Sequence, residues 1–119
     1  MVALVTLEDV NFRLRLDLER AEDGEEEGEA GAFTDERVPG IQRLIEDATG
    51  IVLDYLKTDG AQWSLEAGEE EGEEAPGPVP ATVTAAICLV VRNLYDEVDE
   101  PLSPAVRALL ERHRDPALA

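Results

Sequence analysis

One histidine and one cysteine bound what this chain can do chemically. Cys88 has no second thiol with which to form an internal disulfide, and His113 cannot build a His-rich metal site without carboxylates or another chain. Glu111 and Asp115 flank His113, but at that spacing the three side chains do not converge on one face of a helix, so His113 reads as a surface histidine. Cys88 sits among apolar neighbours and reads as a small buried hydrophobe rather than a reactive thiol. No Walker-type loop, dinucleotide fingerprint, nucleophile elbow, CxxC pair or HExxH occurs, and the two glycine-rich stretches are filled with Glu, which repels phosphate instead of cradling it. The expectation is a chain that is not an enzyme and takes no cofactor and no metal. The distinctive residues left are charges: Arg107, Arg112 and Arg114 form the one basic cluster, against a large excess of acid.

That excess is 28 Asp and Glu against 10 Lys and Arg in 119 residues, a net charge of −18, with 44% hydrophobic but only 4% aromatic residues. The length suits one domain, residues 1–119. The charge disfavours nucleic-acid binding, which draws on clustered Lys and Arg that displace counterions, and equally disfavours an anionic membrane surface. Ala81 to Val91, the longest run free of charge and proline, falls short of the roughly 20 apolar residues that span a bilayer. The N-terminus shows no basic leader and reaches Glu8 before an apolar signal region can form, so a soluble protein inside a cell is expected.

The acids are unevenly placed. Glu22 to Glu29 holds six and Glu66 to Glu74 another six, together −12 of the −18. Both runs contain the hexapeptide GEEEGE, in which glycine and mutual repulsion work against helix and strand alike, so residues 18–33 and 66–79 are expected to be acidic loops. The second leads into Pro76-Gly77-Pro78-Val79-Pro80, which cannot be helical and should run extended.

Between the loops the apolar period is helical. Thr6 and Asp9 form a capping-box pattern, and Leu7, Val10 and Leu14 put one apolar side on a short helix ending near Leu16. From Gly40 to Lys57, Ile41, Leu44, Ile45, Ala48, Ile51, Val52, Tyr55 and Leu56 recur at three- and four-residue steps, with Arg43 and Asp47 opposite. Thr34 or Asp35 caps an earlier turn, and Pro39, which disfavours a helical Val38, sets the firm start. A third helix, about Ala81 to Val98, carries Val83, Ala86, Ile87, Val90, Leu94 and Val98; Ala85, Cys88, Leu89 and Val91 widen its apolar arc far beyond one stripe, so it should be central. A chain this small buries a limited share of its surface, so such a helix is expected to borrow cover from a neighbouring subunit. The last helix opens with Ser103 as N-cap and Pro104 in first position, runs through Val106, Leu109 and Leu110 to His113, and stops before Pro116. Ala61 to Ala67, with Trp63 and Leu65 alternating against Gln62 and Ser64, reads as a short strand or hairpin arm. The fold class is therefore all-α: a small bundle of about four helices with long acidic loops.

The order of these pieces resembles the head-tail connector family of tailed bacteriophages, also called adaptor or head-completion proteins. Val5-Thr6-Leu7-Glu8-Asp9-Val10 leading to Leu14-Arg15-Leu16-Asp17 is similar to the family's N-terminal helix and exit. Leu44-Ile45-Glu46-Asp47-Ala48-Thr49 with Tyr55-Leu56 resembles its second helix, and Val79-Pro80 followed by Ala85-Ala86-Ile87-Cys88-Leu89-Val90-Val91 and Leu94-Tyr95 its third. Leu102-Ser103-Pro104 through His113-Arg114 is like the closing segment. Two features depart from the pattern: Asp96-Glu97 stands where family members often carry an Arg-Glu pair, and both loops are lengthened by acidic insertions.

The resemblance implies a structural virion protein, made in the host cytoplasm, whose copies form a dodecameric ring between the portal protein and a tail or stopper protein. DNA would pass through the ring without specific binding and without a membrane. It also implies portal contact through the C-terminal segment, here Arg107, Leu110, Arg112, His113 and Arg114. Leu53, off the main stripe of its helix, together with Ala85, Cys88 and Leu89 on the widened arc, is expected at subunit contacts; Trp63 is expected either there or as a local loop anchor. Glu69, Glu70, Glu71, Glu73 and Glu74 either line the channel, keeping DNA from sticking, or only solvate the protein. A DNA-mimic inhibitor of DNA-binding enzymes is the alternative, disfavoured because mimicry needs carboxylates at regular spacing on rigid elements.

Overall fold

The computed structural model describes residues 4–19, 33–65 and 77–114. Among them are four α-helices and one short sheet: α1 (Leu7–Leu14), α2 (Val38–Leu56), β1 (Trp63–Ser64), β2 (Gly77–Pro78), α3 (Ala81–Tyr95) and α4 (Pro104–Leu110), the last continued by a 3-10 turn at Glu111–His113. The described part is thus mostly helical.

Helix α3 is central, as the width of its apolar arc predicts. It packs against α1, α2 and α4, and Val83, Ala86, Ile87, Val90 and Val91 are fully buried along it. Its one open stripe holds half-buried Ala85 and exposed Leu89 and Arg92, spaced so that they share a face. Ile41, Ala48, Val52 and Leu56 from α2, Val10 and Leu14 from α1, and Val106 and Leu110 from α4 complete the core with Leu4 and Val5, which precede α1. Thr49 is buried too, and its hydroxyl donates to the carbonyl of Ile45 at 2.8 Å, so no polar group is stranded there.

Local chemistry sets most helix ends. Thr6 caps α1 in a full capping box: its hydroxyl accepts from the Asp9 amide at 3.0 Å while the Asp9 carboxylate accepts from the Thr6 amide. Ser103 caps α4 by accepting from Val106, with Pro104 in the first turn, where its missing N–H removes no bond. Three ends differ from expectation. Helix α1 stops at Leu14, because Arg15 turns left-handed (φ 55°) and its N–H returns to the carbonyl of Asn11. Helix α2 begins at Val38, ahead of Pro39, since a turn held by Asp35 delivers the Val38 amide to the Asp35 carbonyl at 3.1 Å. Helix α3 ends at Tyr95, because Glu97 is left-handed (φ 58°) and the Val98 amide folds back on Asn93 at 2.9 Å; Val98 is left 44% exposed outside the helix.

Both glycine-glutamate segments leave from pinned bases. Asp35 accepts four hydrogen bonds of 2.9–3.0 Å: the Arg37 amide, Arg37 Nε and Nη2, and the Glu19 amide. Arg37 Nη2 also donates to the Leu16 carbonyl, and the Thr34 amide to that of Glu19, so the chain on either side of 20–32 is tied together. These donors, the Arg37 side chain foremost, hold the Asp35 carboxyl far below the usual carboxylate range. Leu18, in the irregular stretch that follows α1, is buried, and its amide donates to Asn11 Oδ1. Around 66–76 the base is β1 paired with β2, Trp63 opposite Gly77. Of the expected short strand or hairpin arm, the segment holds the short strand; its pairing with β2 is parallel, which a hairpin cannot give, and a long connection separates the two. Pro80 is extended (φ −61°, ψ 144°), as the proline spacing requires.

Candidate functional site

The basic C-terminal end is held by a clasp. Helix α4 and the 3-10 turn bring His113 beside the start of α3, where His113 Nε2 lies 2.7 Å from Thr82 Oγ1, and the imidazole meets the Trp63 ring edge-on at 6.0 Å. One turn of chain away, Tyr55 at the end of α2 donates its hydroxyl to Glu111 at 3.1 Å, and the Arg114 guanidinium stacks over the Tyr55 ring at 4.9 Å. The clasp therefore joins α2, β1, α3 and the C-terminal turn. Half-buried Trp63 packs in it against His113 and the core.

A hydroxyl touching an imidazole resembles half of a nucleophile-base pair. Among the described residues no carboxylate meets the other ring nitrogen, so the arrangement lacks the group that would orient a general base. Its chemistry is that of a half-buried hydrogen bond. Among the described residues, no group of three or more His, Cys, Asp or Glu gathers to hold a cation, and no helix is long and apolar enough to cross a membrane.

Burial, and secondarily the charge of Arg112, lowers the His113 pKa below its ordinary 6.5. The neutral ring is then favoured by the fold, while the unfolded chain takes up a proton below 6.5, so stability contributed by His113 is full above that pH and is lost as pH falls through and below it. Urea midpoints measured from about pH 8 to about pH 5.5 are expected to fall in the native chain and to fall less in His113→Gln, which has no such group to titrate. Equal slopes in the two proteins would contradict the clasp.

The structure sorts the five residues expected at a portal. Arg107 and Arg112 are exposed, Arg107 paired with Glu100. His113 and Arg114 are half-buried in the clasp, so His113 is no free surface histidine. Leu110 is fully buried, because α4 turns that side of itself onto the core, and it presents nothing to a partner. Among expected subunit contacts, Ala85 and Leu89 lie on the open stripe of α3, but Leu53 (6% exposed) and Cys88 (2%) are inside the chain's own core. Burial pushes the Cys88 thiol up to about 11, the state of an inert buried cysteine. Glu69, Glu70, Glu71, Glu73 and Glu74 lie outside the described residues.

Two surfaces were not foreseen. Phe12 is 81% exposed on α1 and lines a shallow cleft with Asn11, Arg13, Arg15 and Asp17. Separately, Gly50, Ile51, Leu94 and Leu102 floor a groove of about 570 Å³ bordered by Glu46, Asp47 and Asp54. Phe12 was legible in outline, being off the Leu7, Val10, Leu14 stripe; the groove was not, since it needs α2, α3 and the segment before α4 side by side. No family model, curated protein or solved structure matches the chain.

Proposed function

We propose that this chain is a structural adaptor of a tailed-phage particle, forming a ring between the portal and a tail or stopper protein and extending the channel through which DNA passes. What carries the reading is that each stretch resembling the connector family is an element of one core. VTLEDV opens α1, LIEDAT with YL lies on α2, AAICLVV with LY on α3, and SPAVRALL on α4. The open stripe of Ala85 and Leu89 on an otherwise enclosed α3 adds support, because a neighbouring copy would cover it. In this reading the protein acts without catalysis, in the virion after assembly in the host cytoplasm. Exposed Arg112 is open to meet the portal, as is exposed Arg107 in exchange for its pairing with Glu100, and the acidic segments either keep the ring from adhering to DNA or only solvate the protein.

The test is electron microscopy of particles made when the gene is removed from its phage. Filled or leaking heads without tails, beside free tails, are expected. Normal tailed particles would refute the reading, and inhibition of DNA-binding enzymes, the behaviour of a DNA mimic, would then be measured.

A further inference from the structure

The two unforeseen surfaces complement each other. Phe12 projects from α1 as an apolar knob at 81% exposure, and Arg13 and Arg15 beside it have no ion pair among the described residues. Side chains such as Phe have 150–250 Å² to bury, so a ring 81% exposed offers apolar area that a partner can cover. The groove on the other elements offers the converse: half-buried Ile51, Leu94 and Leu102 with Gly50 between, in a space of about 570 Å³ that admits a phenyl ring. Around it stand Glu46, Asp47 and Asp54, all exposed and none in an ion pair among the described residues. Phe12 shares its cleft with Arg13, Arg15 and Asp17, so it presents an apolar ring with a net positive surround, which an apolar floor bordered by three carboxylates complements.

From this match the geometry points to a second copy of this chain as the occupant of the groove: Phe12 of one copy seats over Ile51, Leu94 and Leu102 of the next, with Arg13 and Arg15 against Asp47 and Asp54. No residue belongs to both surfaces, so the contact joins unlike patches. Head-to-tail contacts of that kind generate rings when the rotation closes. The inference names the subunit contact of the proposed ring and rests on that reading only for the setting in which the contact is used. Between two copies of charge −18 the general repulsion is screened beyond about 8 Å at physiological salt, whereas charges brought into contact still act on one another.

The full chain carrying photoreactive benzoylphenylalanine at position 12 tests this, illuminated at protein concentrations high enough to populate a contact with a Kd of about 1 mM. Mass spectrometry is expected to find adducts between copies within residues 46–54 and at 94 or 102. Adducts on any other surface, or none between copies, would overturn the contact. Using Asp47→Arg with Asp54→Arg in the receiving copy should lower adduct yield about tenfold, because like charges then face one another. Placing Arg13→Glu and Arg15→Glu in the photoreactive copy should restore it; a yield indifferent to both changes would equally defeat the inference. All four positions are exposed, so circular dichroism should show the helices intact. Tailed particles forming without the gene would remove the connector role and leave the mapped contact standing, whereas tailless particles with adducts mapping elsewhere would do the reverse.

Discussion

Ile87→Ala is expected to destabilise the protein by about 2–5 kcal/mol, the range for removing a large side chain from a close-packed core that cannot collapse around the gap. Ile87 is fully buried at the middle of α3, the helix on which α1, α2 and α4 all pack, so a cavity there loosens every pairing at once. Small domains have stabilities of about 5–15 kcal/mol, and the loss is a large part of that. Urea unfolding followed by circular dichroism measures it. A change below about 1 kcal/mol would mean that α3 is not the centre of the core.

Leu110→Ala should cost a similar amount, about 2–5 kcal/mol, and should also release the C-terminal clasp. Leu110 is fully buried at the last position of α4 and holds the turn that carries His113 to Thr82 and Arg114 to Tyr55. The companion change Arg112→Glu, at an exposed side chain two residues on, is expected to alter stability by no more than about 0.5 kcal/mol. Comparing the two separates an exposed residue from a folding residue within a segment where sequence alone put them together. In Leu110→Ala the His113 ring protons, followed by NMR, should titrate closer to the ordinary value of 6.5 as the ring gains water. An unchanged titration would show that the clasp holds without α4.

The helices were readable because their signals are local. A Thr6 to Asp9 capping box, a Ser103-Pro104 start, and apolar steps of three and four along α2 and α3 each depend on residues within one or two turns. Helix α3 was also recognisable as central, since an arc of apolar residues wider than one stripe has to be covered from several sides. Leu53 shows where this reasoning stops: off the main stripe of α2, it is nevertheless buried, because burial depends on what surrounds a helix as well as on its periodicity. The left-handed ends at Arg15, Lys57 and Glu97 escaped notice for a related reason. Glycine ordinarily announces such a conformation, and here non-glycine residues adopt it where returning backbone hydrogen bonds and packing hold them.

By itself, the amino-acid sequence determined the number and approximate extent of the helices, the capped starts of α1 and α4, the core stripe of α3, and the segregation of 12 of the 28 acids into two glycine-broken segments. These follow from near-neighbour sterics, hydrogen bonding and charge, which act over a few residues. Only the tertiary structure decided that β1 and β2 run parallel, that Asp35 and Arg37 tie the end of α1 to the start of α2, and that His113 meets Thr82 and Trp63. It alone decided, too, that Leu53, off the main stripe of α2, and Leu110, at the basic end, are sealed within the core. Such pairings join residues far apart along the chain, and what selects them is the packing of whole helices against one another, which no local window of sequence contains.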